Sequence, residues 1–283
     1  MRVRVSISLI LIGILSLGLL FGLGFGQDQE GEKPLVIATT AILADFAEAV
    51  GGELIEIYVI TPSGICPAHY DIKPSDIRAV ARASLVLYHG FEAWLEDLIQ
   101  ASGNTEVKRV QVKGPWNIPS EIGAYLDQIE AALAEVDPAH AAQFAENAQT
   151  YKAAIDELAG ELLAEAEQLE LAQAKAIVMQ WQQGFVAWLG AQVVATYPPP
   201  ETLSLKQVQE LIAIGRKEGV ALVVDNLQSG TSFGARLAYE IGAVHVVLTN
   251  FPGAVPGALD YLGMLRYNAD QLFAAWKAYT GQE

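Results

Sequence analysis

From residue 35 onward, short apolar runs rich in β-branched residues alternate with stretches of helical spacing. The runs are 35–39 (LVIAT), 54–60 (LIEIYVI), 84–88 (SLVLY) and 107–112, then, after a gap, 175–179, 191–196, 220–224 and 243–248. Helical spacing falls between them at 41–50, 75–83, 91–101, 181–189, 204–218 and 231–241, and again from about 257 to 280. Such alternation implies parallel sheets covered by helices on both faces. The gap, 119–172, carries two helical stretches broken at Asp137-Pro138. The second, about 139–172, is rich in Ala, Glu, Gln and Leu and has no internal proline. A helix of that length spans roughly 50 Å at 1.5 Å per residue. That exceeds what a small α/β layer needs, and no sustained apolar heptad marks it as a coiled coil. The expected fold is therefore α/β: two parallel-sheet lobes, at 34–136 and 174–283, joined by a long backbone helix over 137–173, with a ligand cleft between the lobes.

Residues 1–26 stand apart. Arg2 and Arg4 precede a long apolar run that ends in Gly24-Phe25-Gly26. This is the pattern of a signal peptide with small residues before the cut. A retained anchor is the alternative, since about 18 apolar residues nearly span a bilayer. No cysteine follows the run, so lipid attachment there is not expected. Either route exports the remainder, to the periplasm or the outer face of the cytoplasmic membrane. Membrane contact is then confined to an uncleaved N-terminus. Residues 27–33 (QDQEGEK) read as a flexible lead-in.

Composition removes several function classes. Apolar residues make up 52% and charged ones 18%, which excludes disorder for most of the chain. The net charge of -16 argues against nucleic-acid partners, because phosphates need cations. The single cysteine excludes an intrachain disulfide and multi-cysteine metal cages. No Walker A or G-x-G-x-x-G motif is present. Gly230-Thr231-Ser232-Phe233-Gly234 fits G-x-S-x-G, but its serine lies beyond the strand end, and the sole later histidine, His245, is inside a strand. An enzyme is not expected.

Ligands of open α/β sheets bind beyond the carboxyl ends of strands. The segments there are 64–71 (GICPAHYD), His89, Gly114-Pro115-Trp116-Asn117, Gln180-Trp181, Asp225-Asn226-Leu227-Gln228 and Thr249-Asn250-Phe251. His69 sits in a Pro/Gly-framed loop with Cys66 three residues earlier, a spacing from which one loop can chelate a metal. A surface histidine and an inert buried thiol are the plain alternatives. His89 ends its strand, where ligand and packing roles are both open. His140 lies on the connector helix and is expected in solvent.

With those loops in view, the chain resembles the solute-binding proteins of zinc and manganese ABC transporters. The likeness begins at 36–45 (VIATTAILAD), passes through Gly51-Gly52, the 69–71 and 73–77 (KPSDI) segments and 83–88 (ASLVLY) to Trp94-Leu95, and returns at 260–268 (DYLGMLRYN). The resemblance implies two α/β lobes on one long helix. It also implies an extracytoplasmic monomer that binds a zinc- or manganese-class transition metal between the lobes. An ABC permease and its ATPase are the implied partners. Its first ligand position matches His69. At the others this chain carries Gly114 (near Trp116), Gln180 and Asn250, and the family's histidine-rich acidic loop is absent. Cys66, His89 and Asp225 are the remaining donor candidates. Amides are weak ligands for bare Zn²⁺ or Mn²⁺. With Trp116 and Trp181 they would equally suit a metal chelate or a small organic ligand. A non-transport adhesin or sensor on the same scaffold is a further alternative.

Overall fold

The computed structural model of the protein describes residues 32–282. The expected signal segment, 1–26, and residues 27–31 of the lead-in lie outside the described residues. Among the described residues, no helix is long and apolar enough to cross a membrane.

Eight short strands form two four-stranded parallel sheets of the same order. The first contains β1 (Leu35–Ala38), β2 (Glu56–Val59), β3 (Leu85–Tyr88) and β4 (Lys108–Gln111), ordered β2-β1-β3-β4. The second contains β5 (Lys175–Met179), β6 (Gln192–Tyr197), β7 (Leu222–Asn226) and β8 (Val244–Leu248), ordered β6-β5-β7-β8. Val36 pairs with Ile57 on one side and Leu85 on the other; Asn226 pairs with Leu248. The central strands β1 and β7 are buried throughout, whereas the edge strands β2 and β4 are half-buried. This is why LVIA and LVVDN read as near-continuous apolar runs. In each sheet the chain reverses direction of travel between its first and third strands, the switch point at which α/β folds bind ligands.

Helices α1 (Ala41–Gly51), α2 (Pro74–Val80) and α3 (Leu95–Ser102) serve the first sheet; α6 (Gln183–Trp188), α7 (Leu205–Glu218) and α8 (Ser232–Ile241) serve the second. Between them lie α4 (Ile122–Val136) and α5 (Ala141–Gln168), separated by a turn at Pro138–His140. The 28 residues of α5 span about 42 Å. Its buried side chains, Phe144, Ala148, Ile155, Leu162 and Ala166, form one stripe. The final helix, α9 (Tyr261–Thr280), is capped by Asp260, whose carboxylate accepts the Gly263 N–H at 2.7 Å.

Helix α5 ties the lobes together. Toward the first lobe, Tyr151 donates to Asp45 (2.8 Å) and Asn147 to the Val50 carbonyl (2.8 Å), both on α1. Toward α9, Arg266 pairs with Glu161 and Glu165, and the Trp276 indole donates to the Leu169 carbonyl just after α5. One apolar cluster runs from Val36 and Leu85 of the first sheet through Phe144 and Leu162 to Val178 and Leu248 of the second.

Two helices start about four residues later than their periodicity predicts. Residues 89–94 are spent on a turn organised by Glu92, so α3 opens at Leu95 rather than 91. The Asp260 cap fixes the start of α9 at Tyr261 rather than 257.

Candidate functional site

The carboxyl ends of both sheets face a shared cavity of about 440 Å³. The first lobe contributes three segments. After β2, a short turn at Pro67–His69 is pinned by the Trp94 indole, which donates to the Pro67 carbonyl at 2.8 Å. It turns Cys66, Pro67 and Ala68 into the cavity and leaves His69 exposed to solvent, off the cavity wall. After β3, the buried Glu92 carboxylate accepts the Thr39 hydroxyl (2.6 Å) and the backbone N–H groups of His89 (2.9 Å) and Gly90 (2.6 Å). That turn requires a positive φ of 106° at Gly90 and presents Phe91 to the cavity.

His89 is buried behind this wall. Its Nε2 is 2.9 Å from the Thr40 hydroxyl, and its ring packs on Phe91 (5.1 Å between centroids) and Trp116 (4.5 Å). Burial pushes the imidazole pKa down to about 4 against the opposing charge of Glu92. The ring is therefore neutral at neutral pH.

After β4, Gly114 has φ 129° and a Cβ there would lie 3.0 Å from the Tyr125 ring. A side chain at that position would be strained by the left-handed backbone and would press on the Tyr125 ring. Trp116 crosses to the second lobe, donating its indole N–H to the Asn250 carbonyl at 3.0 Å and stacking on Phe251 at 5.9 Å. Asn117 also crosses, donating to the Trp181 carbonyl at 2.6 Å.

The second lobe supplies an amide cluster. Gln182 is fully buried, and its Nε2 donates to Oδ1 of Asn226 (3.1 Å) and Oδ1 of Asn250 (2.8 Å). Asn226 passes a bond on to the Ser229 hydroxyl at 2.9 Å. Gln228 accepts the Asn250 N–H (3.1 Å) and donates to the Thr249 hydroxyl and, across the cleft, to the Ser63 carbonyl, each at 2.9 Å. Gly184 packs closely against the first lobe: a Cβ there would meet the end of the Ile118 side chain at 2.7 Å and require it to shift.

Asp225 faces the other way. Successive strand residues point to opposite faces, and its fully buried carboxylate accepts the Tyr197 hydroxyl and pairs with His245 Nε2 at 2.7 Å. Burial and the Asp225 charge hold the Tyr197 hydroxyl well above the ordinary tyrosine range. A Cβ at Gly234 would lie 2.2 Å from the Asp225 carboxylate, so α8 can pack here only through glycine.

Of the sequence-predicted site residues, Cys66, Trp116, Gln180, Trp181 and Asn250 line one cavity. His69 is in solvent, His89 is behind the wall and Asp225 is in a separate network. Among the described residues, no group of three or more His, Cys, Asp and Glu side chains gathers around a point that could hold a metal. His140 is exposed and bonded to Asp137. Sequence reasoning placed Asn117, Asn226, Gln228 and Phe251 in strand-end segments without singling them out. Ala68 likewise lay in such a segment, and the reading missed Phe91 and the buried Gln182, which follows the marked Gln180-Trp181 pair.

Two parallel α/β lobes of matching strand order on a spine helix, with a cavity at the strand ends, define a two-lobed solute-binding protein. The chain belongs to the family described as ZnuA, zinc-uptake complex component A, periplasmic, whose model matches residues 36–275. It is similar to the manganese ABC transporter substrate-binding lipoprotein PsaA of Streptococcus pneumoniae, with 31% identity over 105 residues, 33% of this chain and 34% of that protein. It is similar also to the manganese-binding lipoprotein MntA of Bacillus subtilis, with 30% identity over 154 residues, 46% of this chain and 50% of that protein. The matched stretches thus span about a third to a half of these relatives' length. The Mn-bound periplasmic metal binding protein from candidatus liberibacter asiaticus shares the fold, with a TM-score of 0.74 at 17% identity over 86% of this chain and 100% of that one.

Proposed function

We propose that the protein is the exported substrate-binding component of an ABC importer, capturing its cargo in the interlobe cleft for delivery to a permease and its ATPase. The observation that carries this is the family match across both lobes, residues 36–275. The cleft supports it: residues from both lobes close around one cavity, and Trp116, Asn117 and Gln228 each bond across it. The N-terminal segment would place the body outside the cytoplasmic membrane. Catalysis is not part of the proposal: Ser232 of the G-x-S-x-G stretch opens α8 and does not line the cleft. The shared core and the spine helix favour small lobe or loop adjustments over a wide hinge swing. A large ligand-dependent change in radius of gyration would contradict that.

The relatives' names put manganese or zinc in the cargo position. His69 and Cys66, with His89 and Asp225, are the donors this chain would bring to such an ion. They do not fit a bare dication as they stand. The lining offers one thiol and several amides, and no carboxylate or imidazole. Transport and cargo are therefore tested separately. Purified mature protein, residues 27–283, added to its permease and ATPase in lipid nanodiscs should associate and stimulate ATP hydrolysis several-fold. No association and no stimulation would overturn the importer role.

A further inference from the structure

We propose that the cleft binds an uncharged planar nitrogen heterocycle bearing amide-type N–H and C=O groups, stacked between aromatic rings, rather than a bare metal ion. This rests on the capture role argued above and names its ligand class. Charge comes first. The chain has 33 acidic residues, yet among the described residues no charged one lines the cavity. The two carboxylates nearest to it in sequence are committed elsewhere: Asp225 to Tyr197 and His245, Glu92 to Thr39 and the β3–α3 turn. A dication stripped of water would face no compensating anion, a cost that burial makes large.

Size points the same way. A cavity of about 440 Å³ lies within the range of organic-ligand pockets, roughly 300–1,000 Å³. A metal held by bonds of about 2.0–2.3 Å fills only a small part of that. The apolar surface has a matching form. Phe91 from the first lobe is 42% exposed and Trp181 from the second is 52% exposed, both on the cavity wall. Trp116 and Phe251 form a stacked pair beside them. Flat aromatic faces favour flat, weakly polar ligands.

The polar groups complete the fit. The network uses both ends of Asn226 and Gln228. It leaves Asn250 Nδ2 and Asn117 Oδ1 without a protein partner among the described residues, since Gln182 occupies Asn250 Oδ1 and the Trp181 carbonyl occupies Asn117 Nδ2. One donor and one acceptor on cavity-lining residues suit a ring that carries an adjacent C=O and N–H, as guanine, uracil and pteridinone rings do, or a carboxamide, as nicotinamide does.

The test uses chelator-stripped mature protein, with tryptophan fluorescence and thermal shift as readouts. The probes are inosine, guanosine, uridine, nicotinamide and lumichrome, against Zn²⁺ and Mn²⁺. The expected result is saturable quenching and a melting-temperature rise with at least one heterocycle, and no saturable response to either ion. Affinity should fall at least tenfold in Trp181→Ala and in Asn250→Ala. Trp181 is exposed enough that its removal leaves a folded control. A saturable Zn²⁺ or Mn²⁺ response lost in Cys66→Ser or Asn250→Ala would overturn the ligand class and leave the importer role standing. Silence to every heterocycle would overturn it too, and the nanodisc assay would then judge the importer role alone.

Discussion

Asp225 and Asn226 are neighbours at the end of β7 and serve opposite purposes. Asp225 is sealed with Tyr197 and His245 inside the second lobe. Asn226 faces the cleft and shares the Gln182 amide with Asn250. Both clusters are buried and both are hydrogen-bonded; the difference is charge. A buried carboxylate bonded on both oxygens is costly to disturb, because losing a partner strands an ion. Neutral amides can exchange a protein partner for a ligand at far lower cost. The chain thus keeps its buried ion for holding the lobe and leaves neutral groups at the place where something must come and go.

That contrast predicts the largest effect at Asp225. Asp225→Ala leaves the Tyr197 hydroxyl only the Val224 carbonyl, 3.1 Å away, and takes the carboxylate from the half-buried His245 imidazole. We expect a loss of about 3 kcal/mol in urea unfolding, with unchanged ligand affinity in the fraction that remains folded. Gly234→Ala should act through the same carboxylate, since its Cβ would sit 2.2 Å away. A loss below about 1 kcal/mol for Asp225→Ala, in the range of an ordinary surface change, would show that the charge is not what holds this network.

Asp45, on the spine side, is the intermediate case. Its carboxylate accepts the Tyr151 hydroxyl, and burial raises its pKa from 3.8 to about 6. The folded state therefore holds this proton more tightly than the unfolded chain does. Its contribution is complete below about pH 4 and is lost as pH rises through 6. Asp45→Asn keeps an acceptor for Tyr151 and should stabilise the protein at pH 7.5 by up to about 3 kcal/mol, with little change at pH 4. His89 works in the opposite sense over the same window. Its pKa is about 4 in the fold against an ordinary 6.5, so its contribution is lost as pH falls from 6.5 toward 4. Urea titrations of the parent, Asp45→Asn and His89→Gln at the two pH values separate them. Equal stability of Asp45→Asn and the parent at pH 7.5 would remove Asp45 from the group of buried ions that cost stability.

The sheets and the spine were legible because their signals are local. Central strands buried on both faces read as apolar β-branched runs, and the Asp137-Pro138 break with the long Ala/Glu/Gln/Leu stretch marked α4 and α5. The wall of the cleft was legible by segment, since ligands gather at strand ends. It was not legible by side chain. Whether Asp225 or Asn226 turns inward depends on strand register, and whether Ala68 or His69 does depends on a turn pinned by Trp94, at the end of the turn that leads into α3. Gln182 is visible as a site residue only once Asn226 and Asn250 are brought beside it from 44 and 68 residues away. Residue chemistry favours the ionisable member of each pair, and tertiary packing placed the neutral one in the cleft.

The smallest effect is expected at the residue the sequence made most prominent. His69 is exposed, and its neighbour Ala68 holds the inward place. His69→Ala should leave ligand response unchanged and shift the melting temperature by no more than about 1 °C, as for other surface substitutions. Ala68→His supplies the contrast: it carries an imidazole into the neutral cleft, and with Asn250→Asp adds a charged donor from the facing lobe. The double variant should gain a Zn²⁺-dependent rise in melting temperature and lose affinity for the planar probes. A tenfold affinity change in His69→Ala alone would mean that the 67–69 turn rotates when the cleft fills. The division between a charged interior and a neutral cleft would then hold only for the empty protein.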